Sequence, residues 1–498
     1  MTRLSPTTLD RLPSGVRIPA YRRTECPIGI VHLGVGAFHR AHQAVYTDEV
    51  LERGGGGAWA IAGVSLRRPL VRDALDPQDG LYTLIERGGG GDSRRVIGAL
   101  RDVLFAPADP DTVLARLVAP STRVVSLTVT EKGYCRDPAG GALQRDHPDV
   151  VHDLNDPGHP RGVLGYLVEA LARRRAAGVA PFTVLCCDNL PNNGRSLRGV
   201  TLEFAAALDV PLATWIEREV PFPCTMVDRI VPATTAKDRA EFEAATGLHD
   251  AAPVIAEPFT QWVIEDRFAA GRPDWESAGA LLVPDVAPYE HMKLRLLNGP
   301  HSALAYLGYL GGCEYIGDCM HNPLLSLYAE RLMRDEIAPT IAPPPGYDLQ
   351  AYIGELLARF ANPALHHRTW QIAMDGSQKL PQRLLDTVRE RIARGQSVAL
   401  LALAVGAWMR YVSGIDEHGA PIEVRDPLAA ELRNRARRGM HDPNALVDAL
   451  LGERAVFGED LAVDPQWRAA LRRAATRLYT HGVLGAVKRL LATRETTP

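Results

Sequence analysis

Five lysines serve a chain of 498 residues in which lysine and arginine together number 56. Arginine supplies almost every cation, so a lysine kept in that background can do what a guanidinium cannot: release its proton near neutral pH. One of the five, Lys293, lies in Tyr289-Glu290-His291-Met292-Lys293-Leu294-Arg295-Leu296-Leu297-Asn298-Gly299-Pro300-His301. Asn298 and His301 are three residues apart and share a face if the stretch is helical. Pro300 breaks the hydrogen-bond ladder or starts a new helix, which would turn Lys293 toward the same point. Such a trio suits hydride transfer between a ketone and an alcohol. That chemistry needs a group exchanging the hydroxyl proton, donors for the developing alkoxide, and a side chain fixing the substrate. A desolvated lysine, an asparagine amide and a histidine cover the three. A surface lysine and a helix-capping asparagine would read the same way.

Other candidates stand at turns. Asn189, in Cys187-Asp188-Asn189-Leu190-Pro191-Asn192-Asn193-Gly194, follows a predicted strand, where α/β folds place ligand contacts. It is a second oxyanion donor or a plain turn former. Lys379, in Asp375-Gly376-Ser377-Gln378-Lys379, follows a turn and begins a helix. It pairs with a substrate group or is simply solvated. Gly34-Val35-Gly36 closes the strand Ile-Gly-Ile-Val-His-Leu and precedes a helix, the setting of a dinucleotide fingerprint. The backbone of Gly34, Val35, Gly36, Ala37 and Phe38 is the candidate cradle. His39 stands where a third glycine is usual, and an ordinary turn would share the first two. The second strand ends Val64-Ser65-Leu66-Arg67-Arg68, with no acid for a ribose diol. Arg67 and Arg68 could hold a 2′-phosphate there, favouring NADP, or be solvated loop residues. No group of His, Cys, Asp and Glu has zinc-ligand spacing, so no metal is expected.

The elements that must position these residues come in two textures. Ile28–Leu33, Trp59–Leu66, Val124–Val129 and Phe182–Cys187 predict buried strands, with helical spacing over Ala41–Arg53 and Arg161–Ala177. Strand–helix alternation predicts a parallel sheet covered on both faces. After about Pro284 long apolar-periodic segments predict helices, among them Ser377–Ala393, Val398–Val412 and Trp467–Leu491. The expected class is α/β: an N-terminal extension over 1–26, a Rossmann-type domain over 27–285, and a helical domain over 286–498 with the active site between the two. The glycine tracts Gly54–Gly57 and Gly88–Gly91 read as flexible connectors. A net charge of −3 argues against nucleic acid and anionic membranes as partners. No apolar run reaches the roughly 18 residues of a spanning helix, and the start lacks the apolar core of a signal peptide. Seven scattered cysteines without a C-x-x-C pair read as reduced thiols, so a cytoplasmic protein is expected.

The motifs, taken in order, resemble the mannitol dehydrogenase family of polyol-specific long-chain dehydrogenases and hexuronate reductases. They are GVGAFHRAHQ at 34–43, TEKGY at 130–134, CDNLPNNG at 187–194, MVDRIVP at 226–232, QWVIED at 261–266, KLRLLNGPH at 293–301 and DGSQK at 375–379. The resemblance runs from about Pro27 to Arg489. It implies a zinc-free, NAD-dependent enzyme with a Rossmann-type domain and a helical C-terminal domain, present as a monomer or small homo-oligomer. It implies Lys293 as general acid/base, Asn189 and Asn298 as oxyanion-hole amides, and His301 as the histidine that orients substrate. Asp228 and Lys379 match substrate contacts. Glu290 matches a carboxylate on the proton path to water, with Glu131 a second candidate there. In the mannitol branch an arginine is expected near Gln371. The stretches 291–312 and 367–383 are most similar to fructuronate reductases, which interconvert D-fructuronate and D-mannonate. Arg368 and Arg383 could receive the carboxylate that polyols lack. The alternative is a mannitol or arabinitol 2-dehydrogenase acting on the neutral polyol.

Overall fold

Val, Ile and Leu crowd the strand Ile28–Leu33, and every residue after Ile28 is buried. It lies at the centre of a five-stranded sheet, ordered Leu100–Phe105, Ala60–Ser65, Ile28–Leu33, Val124–Leu127, Thr183–Cys186, with every neighbouring pair parallel. Alternate side chains enter opposite layers, as the pleat requires. Val31, Leu33, Val125, Leu127 and Val184 join a core with the helices Pro110–Val118, Val163–Ala176 and Asn193–Leu208. Ile30, Val124 and Leu185 join a second core with the helix Gln43–Glu52. The computed structural model describes residues 2–54, 57–137, 141–439 and 442–492.

The chain divides into two compact units, Met1–Ala287 and Pro288–Pro498. The first holds more strand than periodicity revealed. Tyr82–Gly88 and Gly91–Ile97 form an antiparallel hairpin whose turn is the Gly88–Gly91 tract, which is therefore a tight turn and not a flexible connector. Of the other tract, Gly55 and Gly56 lie outside the described residues. Residues 2–17 are woven into this unit: Thr2–Arg3 pairs with Leu248–His249, and Val16–Arg17 pairs with Arg94–Arg95. Thr225–Asp228, Gln261–Glu265 and Leu281–Val283 make a further three-stranded sheet.

The second unit packs helices around one core running from Met292 to Leu490. Two of its helices are apolar all round and so lie inside. In Gly299–Leu310 every residue but Tyr309 is buried, and in Ala399–Val412 every residue but Ala399 and Arg410. No helix among the described residues is long and apolar enough to cross a membrane.

Candidate active site

In the first unit the turn after Ile28–Leu33 is built by backbone. Gly34 N–H donates to Val64 O at 2.9 Å and Gly36 N–H to Gly34 O at 2.7 Å. Gly34 sits at φ +94°, and a Cβ there would come within 2.2 Å of Thr128 O, so only glycine fits. Gly36 is different: the nearest atom to a Cβ would be 3.8 Å away, at the N-terminus of the helix Ala37–Ala41. His32 braces the turn, bonding Ser126 Oγ and Thr128 Oγ1, each at 2.8 Å. Burial pushes its imidazole down to about 3, so it is neutral. Gly34, Val35 and Gly36 line a pocket together with Arg67, Arg68, Thr130 and Arg161. Ala37 and Phe38 open the helix and do not line it.

An acid absent from the end of the second strand comes from elsewhere. Asp149, in the helix Pro148–Asn155, forms an ion pair with Arg67. The same carboxylate lies with His147 and Cys135 in a group whose ligand atoms are all within 4.8 Å of one another, a metal-like cluster that spacing alone did not reveal. Its donors are engaged: Asp149 by Arg67, and His147 Nδ1 as acceptor from Asp149 N–H at 3.2 Å. Burial pushes the Cys135 thiol up to about 11, so the neutral thiol is held there.

The motifs 130–134, 187–194 and 226–232 hold one another. Asp188 accepts from Val129 N–H at 2.8 Å, Thr130 N–H at 3.2 Å and Tyr134 OH at 2.5 Å. Thr130 pays for this with φ +66° and ψ 162°, a region strained for a β-branched residue. Asn193, 1% exposed, donates to Asp188 O at 3.0 Å and Thr225 O at 2.9 Å, and accepts from Thr225 N–H at 2.9 Å. It thereby ties the exposed Asn189 loop to the strand carrying Asp228, which is buried. Asp228 pairs in register with Gln261, so two of the motifs are one strand pair. Glu131, exposed, opens the 3₁₀ turn that ends in buried Tyr134. Sequence reasoning passed over Asp188 and Asn193 because both look like turn formers. The signal was their place directly after a buried strand.

In the second unit the backbone around Lys293 does not break. The helix Ala287–Lys293 runs through a π-helical turn, Leu294–Asn298, into Gly299–Leu310. Gly299 N–H reaches Leu294 O, five residues back. This wide turn tolerates Pro300 and also changes which residues meet. Residues five apart on an α-helix point about 140° apart, whereas an i to i+5 turn stacks them. Lys293, Asn298 and His301 therefore share a face, each at least nine-tenths buried: 4%, 8% and 8% exposed. Half-buried Glu290 precedes Lys293 by three residues on the same helix.

His301 stacks on Phe360 at 5.0 Å and meets His367 edge-on at 4.8 Å. Its Nε2 is buried with no hydrogen-bond partner among the described residues. Burial, then His367, Arg383, Arg359 and Lys379, hold this imidazole well below the ordinary range. Burial likewise pushes His367, which sequence reasoning missed, down to about 4. Arg383 arrives because Gly299 has no side chain: a Cβ there would lie 2.8 Å from Arg383 O. Its guanidinium donates to Ser302 Oγ at 3.1 Å. Lys379 Nζ donates to Met374 O at 2.6 Å, on a helix whose Gly376 packs against Trp408 and Tyr306. Arg368 is engaged elsewhere. Half exposed, it pairs with Glu314 at 2.8 Å and lies over the Tyr315 ring.

Two family models match, the mannitol dehydrogenase Rossmann domain over residues 28–277 and the mannitol dehydrogenase C-terminal domain over residues 285–479. An uncharacterized oxidoreductase of Escherichia coli, YdfI, is 49% identical, covering 96% of this chain and 98% of its own. D-mannonate oxidoreductase of the same organism is 47% identical, covering 95% and 97%. Among solved structures, Pseudomonas fluorescens mannitol 2-dehydrogenase in ternary complex with NAD and D-mannitol superposes with a TM-score of 0.89 at 40% identity, covering 98% of this chain and 99% of that one. With a Rossmann-like first unit and a mostly helical second, the chain is an oxidoreductase acting on CH–OH groups and belongs to the mannitol dehydrogenase family.

Proposed function

We propose that this enzyme interconverts a 2-keto hexuronate and its hexonate, D-fructuronate and D-mannonate, with NAD(H). The observation that carries the reading is the basic cluster at His301. Arg383, Arg359 and Lys379 lie near enough to His301 to add to the burial that keeps its imidazole neutral, and cations gathered there attract a carboxylate, whose two oxygens a guanidinium fork matches. A neutral polyol brings no charge to it. The 47% identity to D-mannonate oxidoreductase, against 40% to the mannitol 2-dehydrogenase, supports the same branch.

In this reading Lys293 takes the hydroxyl proton during oxidation and returns it during reduction. Asn298 and Asn189 donate to the oxygen as negative charge grows on it. His301 Nε2 bonds a substrate hydroxyl, and Glu290 passes the proton on toward water. Asp228, Lys379 and Arg383 hold the rest of the sugar acid. NAD(H), when bound, supplies or accepts the hydride. Gly34, Val35, Gly36 and Arg67 would hold it, and the bare backbone at Gly36 beside a helix N-terminus fits a pyrophosphate.

Reduction of D-fructuronate and of D-fructose, each with NADH, tests the substrate. We expect kcat/KM to favour fructuronate by at least about 100-fold, since a site built for a charged partner is left unsatisfied by a neutral one. A preference for fructose would move the enzyme to the mannitol or arabinitol branch.

A further inference from the structure

We propose that the mouth of the first unit's pocket is a binding subsite for the 2′-phosphate of an NADP-type dinucleotide, built by Arg67, Arg68 and Arg161. The proposal rests on the dinucleotide part of the reading above and on nothing in its substrate part. The pocket that begins at Gly34–Gly36 is lined by these three arginines and by no carboxylate. Arg67 and Arg68 follow directly on the strand Ala60–Ser65, the place from which Rossmann-type folds address the adenosine ribose. A site reserved for the unphosphorylated ribose needs an acid there, facing the diol.

Asp149 forms an ion pair with Arg67 of this group. It is mostly covered, its side chain 15% exposed, and its own backbone N–H donates to His147 Nδ1. Arg67 is thus held beside the pocket before any ligand arrives, so less side-chain freedom is lost on binding. Arg161 is placed by a second acid, which also contacts His152 Nδ1 at 3.0 Å. Asp153, 1% exposed, accepts from Arg161 N–H and Gly162 N–H, each at 2.8 Å. That pins the entry to the helix Val163–Ala176, whose first residue also lines the pocket. Three guanidiniums against the carboxylates of Asp149 and Asp153 leave the group net positive, and a phosphate monoester brings about −1.5 to −2 at neutral pH to meet it.

Calorimetric titration of the whole protein with 2′,5′-ADP and with 5′-AMP tests the subsite without any sugar present. We expect 2′,5′-ADP to bind at least about tenfold more tightly at low salt, as one charge-assisted contact or more would give. The advantage should shrink as salt is raised. In Arg68→Gln and Arg161→Gln, both exposed residues, the ratio of the two affinities should fall several-fold. Equal affinities in the unaltered protein overturn the proposal. Failure of both probes to bind overturns it together with the dinucleotide reading, whereas a failure to reduce fructuronate leaves it standing.

Discussion

In the proposed reaction Lys293 is the group that exchanges the hydroxyl proton. It is 4% exposed, in line with Asn298 and His301, in a chain that takes almost all its cations from arginine. Lys293→Ala should leave a folded protein that still binds nucleotide but has lost at least about 100-fold in kcat, the low end for a general acid/base. Lys293→Arg should not restore it, since a guanidinium keeps its proton. Nucleotide binding followed by fluorescence, beside steady-state kinetics, checks both, and near-normal turnover of either variant would remove Lys293 from the reaction. The histidines do not compete for this role. Burial lowers both His301 and His367, the latter to about 4, so both imidazoles are neutral near pH 7. The kcat profile above about pH 5 should therefore carry no limb from His367. At this scale the sequence was most informative where a residue type was scarce, as with lysine. It was least informative for Asp188, Asn193 and Asp149, common residues whose importance comes from what the fold brings to them.

Two glycines of one motif separate the needs of an element from those of a ligand. Gly34 is required by the fold, with φ +94° and a carbonyl in the path of any side chain. Gly36 has room for a methyl group within the protein. Gly34→Ala should lower the unfolding free energy by at least about 2 kcal/mol, the left-handed backbone and the overlap acting together. Gly36→Ala should unfold close to the unaltered protein yet bind 5′-AMP or NADH about tenfold more weakly, because the added carbon occupies the approach to the helix N-terminus. Urea unfolding and calorimetry on the pair decide it, and equal nucleotide affinity in Gly36→Ala would refute the cradle. Among the prolines, Pro300 is expected to break the helix or start a new one, whereas the run through Pro381 is expected to stay helical and the stretch from Ala338 to end a helix, as both do. Pro300, Pro339 and Pro381 each lie in or beside a π-helical turn, at Leu294–Asn298, Leu332–Ile337 and Pro381–Leu385. A proline inside an apolar-periodic run predicts a break. At Pro300 and Pro381 the helix widens by about one residue per turn, accommodates the ring and continues, whereas after Pro339 it ends in the turn Ala338–Thr340. That widening, invisible to a 3.6-residue period, is what lines Lys293 up with Asn298.

Across the whole chain, the change of texture near residue 285 was legible because it is a change of period, from short buried strands to long apolar stripes. The hairpin Tyr82–Ile97 and the edge strand Leu100–Phe105 were not, since Gly91–Ile97 opens on a polar block and Arg101 and Asp102 interrupt the other, so neither a buried run nor an alternation is seen. Nor could spacing show Glu336, a buried acid of the helical unit. It is 3% exposed and accepts from Leu400 N–H at 3.0 Å and Leu401 N–H at 2.8 Å, capping the central helix Ala399–Val412. Burial pushes its carboxyl up to about 7, although the two N–H donors and Arg391 pull the other way. The folded protein therefore binds a proton here between the ordinary value of 4.5 and about 7 that the unfolded chain has already released. Stability from this group is complete below the unfolded value and is lost as pH rises through the folded one. At roughly 1.4 kcal/mol per unit the loss approaches about 3 kcal/mol by pH 8. Glu336→Gln keeps an acceptor for the two N–H groups and cannot ionise. Relative to the unaltered protein it should therefore gain stability steadily between about pH 4.5 and 7. Urea unfolding of both proteins across that range measures the difference, and parallel curves would show that Glu336 holds its helix with the same charge folded and unfolded.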